Sequence, residues 1–377
     1  MPKLRFPGFE GKYRLTTLSK IASEINRIDA KSTAPIMMLS AGNGFILQSD
    51  KYSRDNAGKS LKKYILLKKG EMAYNHGASK VKQFGCCYEL REEEARIPYV
   101  YHCFKTNPKE YTPYVALLLN NPRIDKQLKR LVSSSARMDG LLNISFDDYM
   151  SIKLSLPSLS EQIHIASFIE KLEKRISYQE QLVEALKKYK RGAIIHALTH
   201  KSAKYSATST WVEKTLADLC CEFRSGRNIS ATLIHGTGEY PVYGGNGIRG
   251  YCDKYSHDGE YVVIGRQGAL CGNVRLIQGQ NYLSEHAIAV KANTENDTKF
   301  LLYLLDFMRL GQYSDQGAQP GLAVNKLLKL KCTVPDKKSQ AKIAAFLLNL
   351  DAQISVHEMI LSCLCNQQKA LLQQLFI

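Results

Sequence analysis

Residues 157–198 read PSLSEQIHIASFIEKLEKRISYQEQLVEALKKYKRGAIIHAL, and residues 335–376 read PDKKSQAKIAAFLLNLDAQISVHEMILSCLCNQQKALLQQLF. The second stretch follows the first by 178 positions, and the two align without a gap. Pro157, Gln162, Ile165, Ala166 and Phe168 recur as Pro335, Gln340, Ile343, Ala344 and Phe346. Leu172, Ile176, Ser177, Glu180 and Leu186 recur as Leu350, Ile354, Ser355, Glu358 and Leu364. A long unit that occurs twice denotes a duplicated domain pair and not a solenoid of short repeats.

Within the first copy Ile165, Ile169, Leu172, Ile176, Gln179, Val183, Leu186, Lys190, Ala193 and Ala197 follow one another in alternating steps of four and three. That is the seam of a coiled coil. Ile343, Leu347, Leu350, Ile354, His357, Leu361, Leu364, Gln368, Leu371 and Leu375 repeat it in register. Polar residues interrupt both seams at matching places, Gln179 with His357 and Lys190 with Gln368. A proline precedes each helix, and Ser160 or Lys338-Ser339 offers the first turn. Roughly 36 helical residues at ~1.5 Å each give a rod on the order of 54 Å long. The shared register predicts that the two helices pair. The residues expected to carry the pairing are Gln162, Ile165, Phe168, Leu172 and Ile176 with Gln340, Ile343, Phe346, Leu350 and Ile354.

A chain of 377 residues holds two or three domains with cores of their own. Its net charge of +17 calls for an anionic partner. Nucleic acid precedes a membrane surface, since no segment is long and apolar enough to span a bilayer. Ten cysteines are scattered without a CxxC pair or zinc-type spacing, which argues against a metal site. With no signal peptide to read at the N-terminus, free thiols in a reducing cytoplasm are expected.

The boundaries follow from the repeat. A first domain spans 1–156, its long helix 157–198, a small polar linker (THKSAKYSATST) 199–210, a second domain 211–334 and its helix 335–377. Tyr13, Leu18 and Ile21 return as Trp211, Leu216 and Leu219, so each half reads as lead-in, variable domain, long helix. Short strand-like runs punctuated by Gly, Asn and Asp, such as 36–40, 64–67 and 97–104, make the domains mixed α/β (α+β). Short helices are expected at 113–119 and 301–308.

Between 50 and 82 the first domain gathers Lys51, Arg54, Lys59, Lys62, Lys63, Lys68, Lys69, Lys80 and Lys82, interleaved with Tyr52, Tyr64 and Tyr74. Lysines neutralise phosphates, and Asn75 is of the type that reaches base edges. A basic stretch follows, ending in Arg137. In the second domain YPVYGGNGIRGY (240–251) and the run Gly265-Arg266-Gln267-Gly268 let backbone approach a ligand closely. Asn246, Arg249, Tyr251, Arg266 and Gln267 are its candidate readers, and Gln319 stands where Arg137 stood in the first half. Tight turns around a buried sheet explain the glycines equally well, but not the polar tips.

Catalytic motifs are not evident. Gly58-Lys59-Ser60 fails as a phosphate loop because Ser53 stands where its first glycine belongs. Asn120-Asn121-Pro122-Arg123 is not the loop of an amino-methyltransferase, and no Ser, Cys or His has a catalytic spacing. A protein that reads and positions is expected, one that binds no cofactor or metal itself.

The chain resembles the specificity subunit of type I restriction-modification systems. The resemblance rests on LRFPGFEG near the start, the Pro-x4-Gln-x2-Ile-Ala-x-Phe closing both halves, the loop SDKYSRDNAGKSLKKY and YGGNGIRGY. The second copy departs from the usual Pro-x3-Glu-Gln in having Ser339 where Glu161 stands, which puts a contact there in question. The resemblance implies two target recognition domains held apart by two antiparallel helices. Each domain would read half of a bipartite, asymmetric DNA site, with the rod setting the unread gap. It further implies two modification subunits carrying S-adenosylmethionine and methylating adenine, and, with restriction subunits, ATP- and Mg-dependent cleavage. Rival readings are a coiled-coil tether for two protein-binding domains and an RNA-binding module whose aromatics stack on unpaired bases.

Overall fold

The computed structural model describes residues 2–52, 58–132, 142–199, 211–268, 270–315 and 321–376, without the side chains of residues 58 and 59. The chain divides into two compact units, one of Met1–Tyr178 with Leu361–Ile377 and one of Gln179–Ile360. Both division points fall inside long helices, Leu159–Leu198 and Lys337–Leu375.

Each unit contains a domain drawn shut by its own ends. In the first, strand Arg14–Thr17 pairs antiparallel with Lys153–Leu156, Arg14 opposite Leu156. In the second, Val212–Thr215 pairs the same way with Lys331–Val334. A single helical turn follows each opening strand, Leu18–Ile21 or Leu216–Leu219, and sinks two leucine or isoleucine side chains into the core.

The central sheets share one antiparallel order. In the first domain it runs Ala22–Glu24, His102–Thr106, Met72–Asn75, Cys86–Glu89. In the second it runs Cys220–Ser225, Ala287–Ala292, Tyr261–Gly265, Val274–Ile277. The run expected at 97–104 is not one strand. Pro98, which has no N–H to donate, opens a turn closed by Tyr101 N to Pro98 O (3.0 Å), so Glu94–Ile97 and His102–Thr106 enter different sheets. The short helices are Thr112–Leu119 and Thr298–Phe307; the second starts earlier than its apolar pattern indicates because the Asp297 side chain caps it, accepting from Phe300 N.

The long helices pack antiparallel within each unit. Ile165, Ala166 and Ile169 share a core with Leu375 and Phe376 in the first. Ile194, Ala197 and Leu198 share one with Ile343, Leu347 and Leu350 in the second. Ile176, Val183, Ile354 and Leu364 of the seam are buried as well, and Leu172 is half-buried. The matching interruptions meet: Gln179 Nε2 donates to the His357 carbonyl at 2.9 Å. The helices begin one residue before Ser160 and Lys338, at Leu159 and Lys337. Ser158 and Asp336 precede the first helical residue, and each carbonyl accepts from a glutamine N–H four residues on.

Three residues expected in the helix pairing do something else. Gln162 and Gln340 are almost wholly buried, each facing its own domain. Gln162 accepts from Tyr111 N at 2.9 Å and donates to Glu110 Oε2 at 2.7 Å and to the Pro157 carbonyl at 3.1 Å. Gln340 accepts from Asp297 N and donates to Asn296 Oδ1 and the Pro335 carbonyl, each at 2.9 Å. The same amide thus locks each long helix to the start of the short helix beside it. Phe168 meets the Phe6 ring edge-on at 5.3 Å, so it holds the N-terminal peptide. The same peptide explains the departure at Ser339 through Arg5, next to Phe6, and Tyr13. Arg5 grips the buried Glu161 carboxylate with two bonds, at 2.8 and 2.7 Å, and Tyr13 donates to it at 3.1 Å. In the second copy Ser339 merely bonds Asp336, its Oγ to Oδ2 at 2.8 Å.

Losing a buried group with three partners strands the others without water, a penalty of about 1–3 kcal/mol. Gln162→Ala and Gln340→Ala should each lower the urea midpoint of the unit concerned. The exposed Gln367→Ala should leave it unchanged, with circular dichroism and limited proteolysis as the readouts.

Candidate nucleic-acid interface

The strongest concentration of candidate readers lies in the second domain, where a hairpin packs on a loop. Strands Tyr240–Gly244 and Gly247–Cys252 join through Gly245-Asn246, and the loop after Tyr261–Gly265 carries Arg266 and Gln267. A Cβ on Gly245 would stand 2.6 Å from the Gln267 carbonyl oxygen and 3.4 Å from that of His286. The glycine is therefore what lets hairpin and loop touch. Gly247 has φ +107°, and a Cβ there would meet Arg275 Nη1 at 2.7 Å. On Gly244 it would meet Arg249 Cδ at 2.4 Å. The two arginines thus lie across glycines that leave them room.

Asn246 and Arg249 are exposed at the hairpin tip and its second strand. Gln267 is exposed, with Oε1 2.7 Å from His286 Nδ1. Arg266 is committed inward: Nη1 donates to the Glu285 carbonyl at 3.3 Å and Nε to that of Leu322 at 3.5 Å. It shapes the loop instead of presenting its fork to a ligand. Tyr251 is half-buried, and its backbone exchanges both hydrogen bonds with His235. Arg275 and His286 carry no signal in the sequence. Arg275 is one residue of an ordinary strand alternation, and His286 an isolated residue before Ala287–Ala292; only the folded hairpin draws both to the cluster.

The first domain places its candidates around the equivalent loop, after Met72–Asn75. The Asn75 amide is taken up locally, its Oδ1 accepting from Gly77 N at 2.9 Å and its Nδ2 facing the Leu39 carbonyl at 3.5 Å. Lys80 stands exposed on that loop, whereas Lys82 is spent on the Asn120 carbonyl at 2.6 Å. The two loops are held alike from behind: Leu142 N donates to the His76 carbonyl, and Leu322 N to that of Arg266, each at 2.9 Å. His102 lies near His76, ring centroids 5.0 Å apart. Burial lowers its pKa, against the raising pull of the Ile144 carbonyl, so it adds no charge near neutrality. Lys62 and Lys63 end a 3-10 turn, Gly58–Lys63, and are exposed; Lys63 Nζ lies 5.8 Å above the Tyr99 ring. Lys51 closes the short helix Gln48–Lys51, exposed, near the Tyr52 ring. Arg54, Arg137, Gln319 and the Lys59 side chain lie outside the described residues. Among the described residues no acidic, His or Cys cluster suits a metal ion, and no helix is long and apolar enough to cross a membrane.

The fold defines a class: two α/β domains with one central-sheet order, each keyed to a long helix that pairs antiparallel with its counterpart. Residues 208–364 match the family described as type I restriction modification DNA specificity domain. The chain is 47% identical over 142 residues to the Escherichia coli type I restriction enzyme EcoprrI specificity subunit, covering 37% of this chain and 35% of that one. A putative type I specificity subunit of Mycoplasma pneumoniae is 28% identical over 134 residues, 34% of this chain and 44% of that one. The chain thus spans less than half the length of these curated relatives. Across its whole length the fold matches the crystal structure of a type I restriction-modification S subunit from M. genitalium (TM-score 0.68, 17% identity, 100% and 99% of the two chains). A chain from a study of type I complex assembly and conformational transition also matches (TM-score 0.54, 14% identity, 97% of each). Residues 208–364 are thus similar in sequence to the type I specificity domain, and the fold of the whole chain is similar to that of the S subunit from M. genitalium.

Gly245→Ala should force hairpin and loop apart. We expect weaker ligand binding by the second domain and faster amide exchange across 244–251 and 266–268, with exchange in residues 72–89 unaltered.

Proposed function

We propose that this chain is the DNA-reading subunit of a type I restriction-modification complex. Its two domains each read one half of a bipartite, asymmetric site, and its helices carry the modification subunits that methylate adenine there. One observation carries the reading: two domains with one central-sheet order each present a loop from the same central strand, backed by the same backbone bond, but with different side chains. A shared central sheet with unlike tips suits two unlike half-sites. The +17 charge supports a polyanion, and exposed Arg249, Arg275 and Asn246 beside Gln267 are side chains that hydrogen-bond base edges and phosphates. We assign methyl transfer, and any ATP- and Mg-dependent cleavage with restriction subunits, to the partners; S-adenosylmethionine belongs with them.

Lys62→Ala or Lys63→Ala should weaken duplex binding similarly across sequences. For every phosphate no longer neutralised, the slope of log affinity against log salt should flatten by about one unit. Fluorescence anisotropy at graded salt measures both. No salt-dependent duplex affinity in the parent chain would favour a protein tether, and preference for single-stranded RNA in competition would favour an RNA module.

Exchanging residues 211–334 for the equivalent domain of a relative should change one half of the methylated site and leave the other intact. Methylation mapping in cells that also carry the modification subunit reads this directly.

A further inference from the structure

The duplication lets one carboxylate position be compared in both copies. In the second, Asp351 is fully engaged: Lys190 Nζ lies 2.5 Å from Oδ1 and the Tyr303 hydroxyl donates to Oδ2 at 2.7 Å. The lysine also lies over the Tyr303 ring, 5.5 Å from its centroid. The repeat maps Asp351 onto Glu173 and Lys190 onto Gln368. On the short helix Thr112–Leu119, Leu117 holds the position of Tyr303 in Thr298–Phe307. The first copy has therefore kept the carboxylate without either of its partners. Gln368 Nε2 comes only to 3.4 Å of Glu173, and among the described residues the nearest cation in its cleft, Arg91, acts on it without closing an ion pair.

Where the lysine and tyrosine would lie, the first unit has a cleft of 430 Å³. Ala166 and Ile169 of the long helix and Leu117 line its apolar side, and its charged lining sets Glu89, Glu170 and Glu173 against Lys69 and Arg91. Lys69 is spent on Glu93 at 2.6 Å, and Glu170 holds Lys174 at 3.0 Å. Burial raises the carboxyl pKa of Glu89 and of Glu173, with Arg91 opposing it in both cases. Glu89 and Glu173 face the single Arg91 there, so the cleft keeps an excess of carboxylate on a strongly basic chain and is poorly suited to phosphate. A long basic side chain satisfies both of its walls, because its methylenes cover apolar surface while its head stays charged.

We propose that the cleft is a socket for a lysine or arginine side chain of a partner protein, filling from outside the place that Lys190 fills from within the second copy. The partner we assign is the modification subunit, so the inference rests on the function proposed above. It follows that the two halves of the duplicated chain are not equivalent docking faces.

Two substitutions test the socket. Gln368→Lys should supply the missing ammonium from inside, and Glu173→Gln should remove the charge it meets. The parent chain and both variants are titrated with purified modification subunit by calorimetry, and their melting temperatures and duplex-DNA salt slopes are measured alongside. Gln368→Lys should melt higher than the parent, and the gain should vanish when Glu173→Gln is added. Both single variants should bind the modification subunit about tenfold or more weakly, the scale of one charged interface pair. Their DNA salt slopes should match the parent's. Equal binding of the subunit by all three chains overturns the socket. So does a Gln368→Lys chain that melts no higher, since Glu173 would then not lack a cation. A parent chain that ignores the modification subunit but binds DNA overturns the assigned partner together with that part of the functional reading.

Discussion

The structure depends on a buried primary amide used twice. Gln162 and Gln340 each offer one acceptor and two donors, and each meets a backbone N–H, a side-chain oxygen and a proline carbonyl. A carboxylate could not donate and an ammonium could not accept, so only a glutamine-like head satisfies all three. Because the site is almost closed to water, an unmatched partner there is costly, and the geometry is correspondingly well defined. Through it the first turn of each long helix is tied to the domain beside it.

Electrostatics separates surfaces that the overall charge conflates. The excess of Lys and Arg makes the chain basic, but several of these residues are spent internally. Arg5 balances the buried Glu161, Arg27 makes two bonds to Glu71, and Arg266 ties down carbonyls. Lys51, Lys62, Lys63, Lys80, Arg249 and Arg275 are among the cations that stay exposed and can meet phosphate. The acidic cleft at Glu173 lies outside that set, and its chemistry suits protein.

Duplication has kept the frame and let the fittings diverge. The clasp of first and last strands, the sheet order and the glutamine lock occur in both copies. Glu161 has a partner because an N-terminal peptide brings Arg5 to it, whereas Ser339 only donates to Asp336, whose side chain caps the second helix. Asp351 has Lys190, and its counterpart Glu173 has only a glutamine. Such differences are where two copies of one domain acquire separate tasks.

The repeat and its seam were legible from residues alone, because a helix imposes a local period that apolar side chains must follow wherever the chain goes. Ile165, Ile176, Ile343 and Ile354 are buried as that period requires. The glycines at 244–247 also announced a close approach, since only glycine leaves that space. What approaches them is not local information. Gln162 sits among seam residues but turns to Glu110 and Tyr111; Arg266 looked free but is held by Glu285 and Leu322; Arg275 and His286 had no signal at all. Partner identity depends on which distant segments chain closure brings together, and no period along the sequence encodes that. The sequence by itself determined which residues must be inside; tertiary structure decided which polar groups were left over to act.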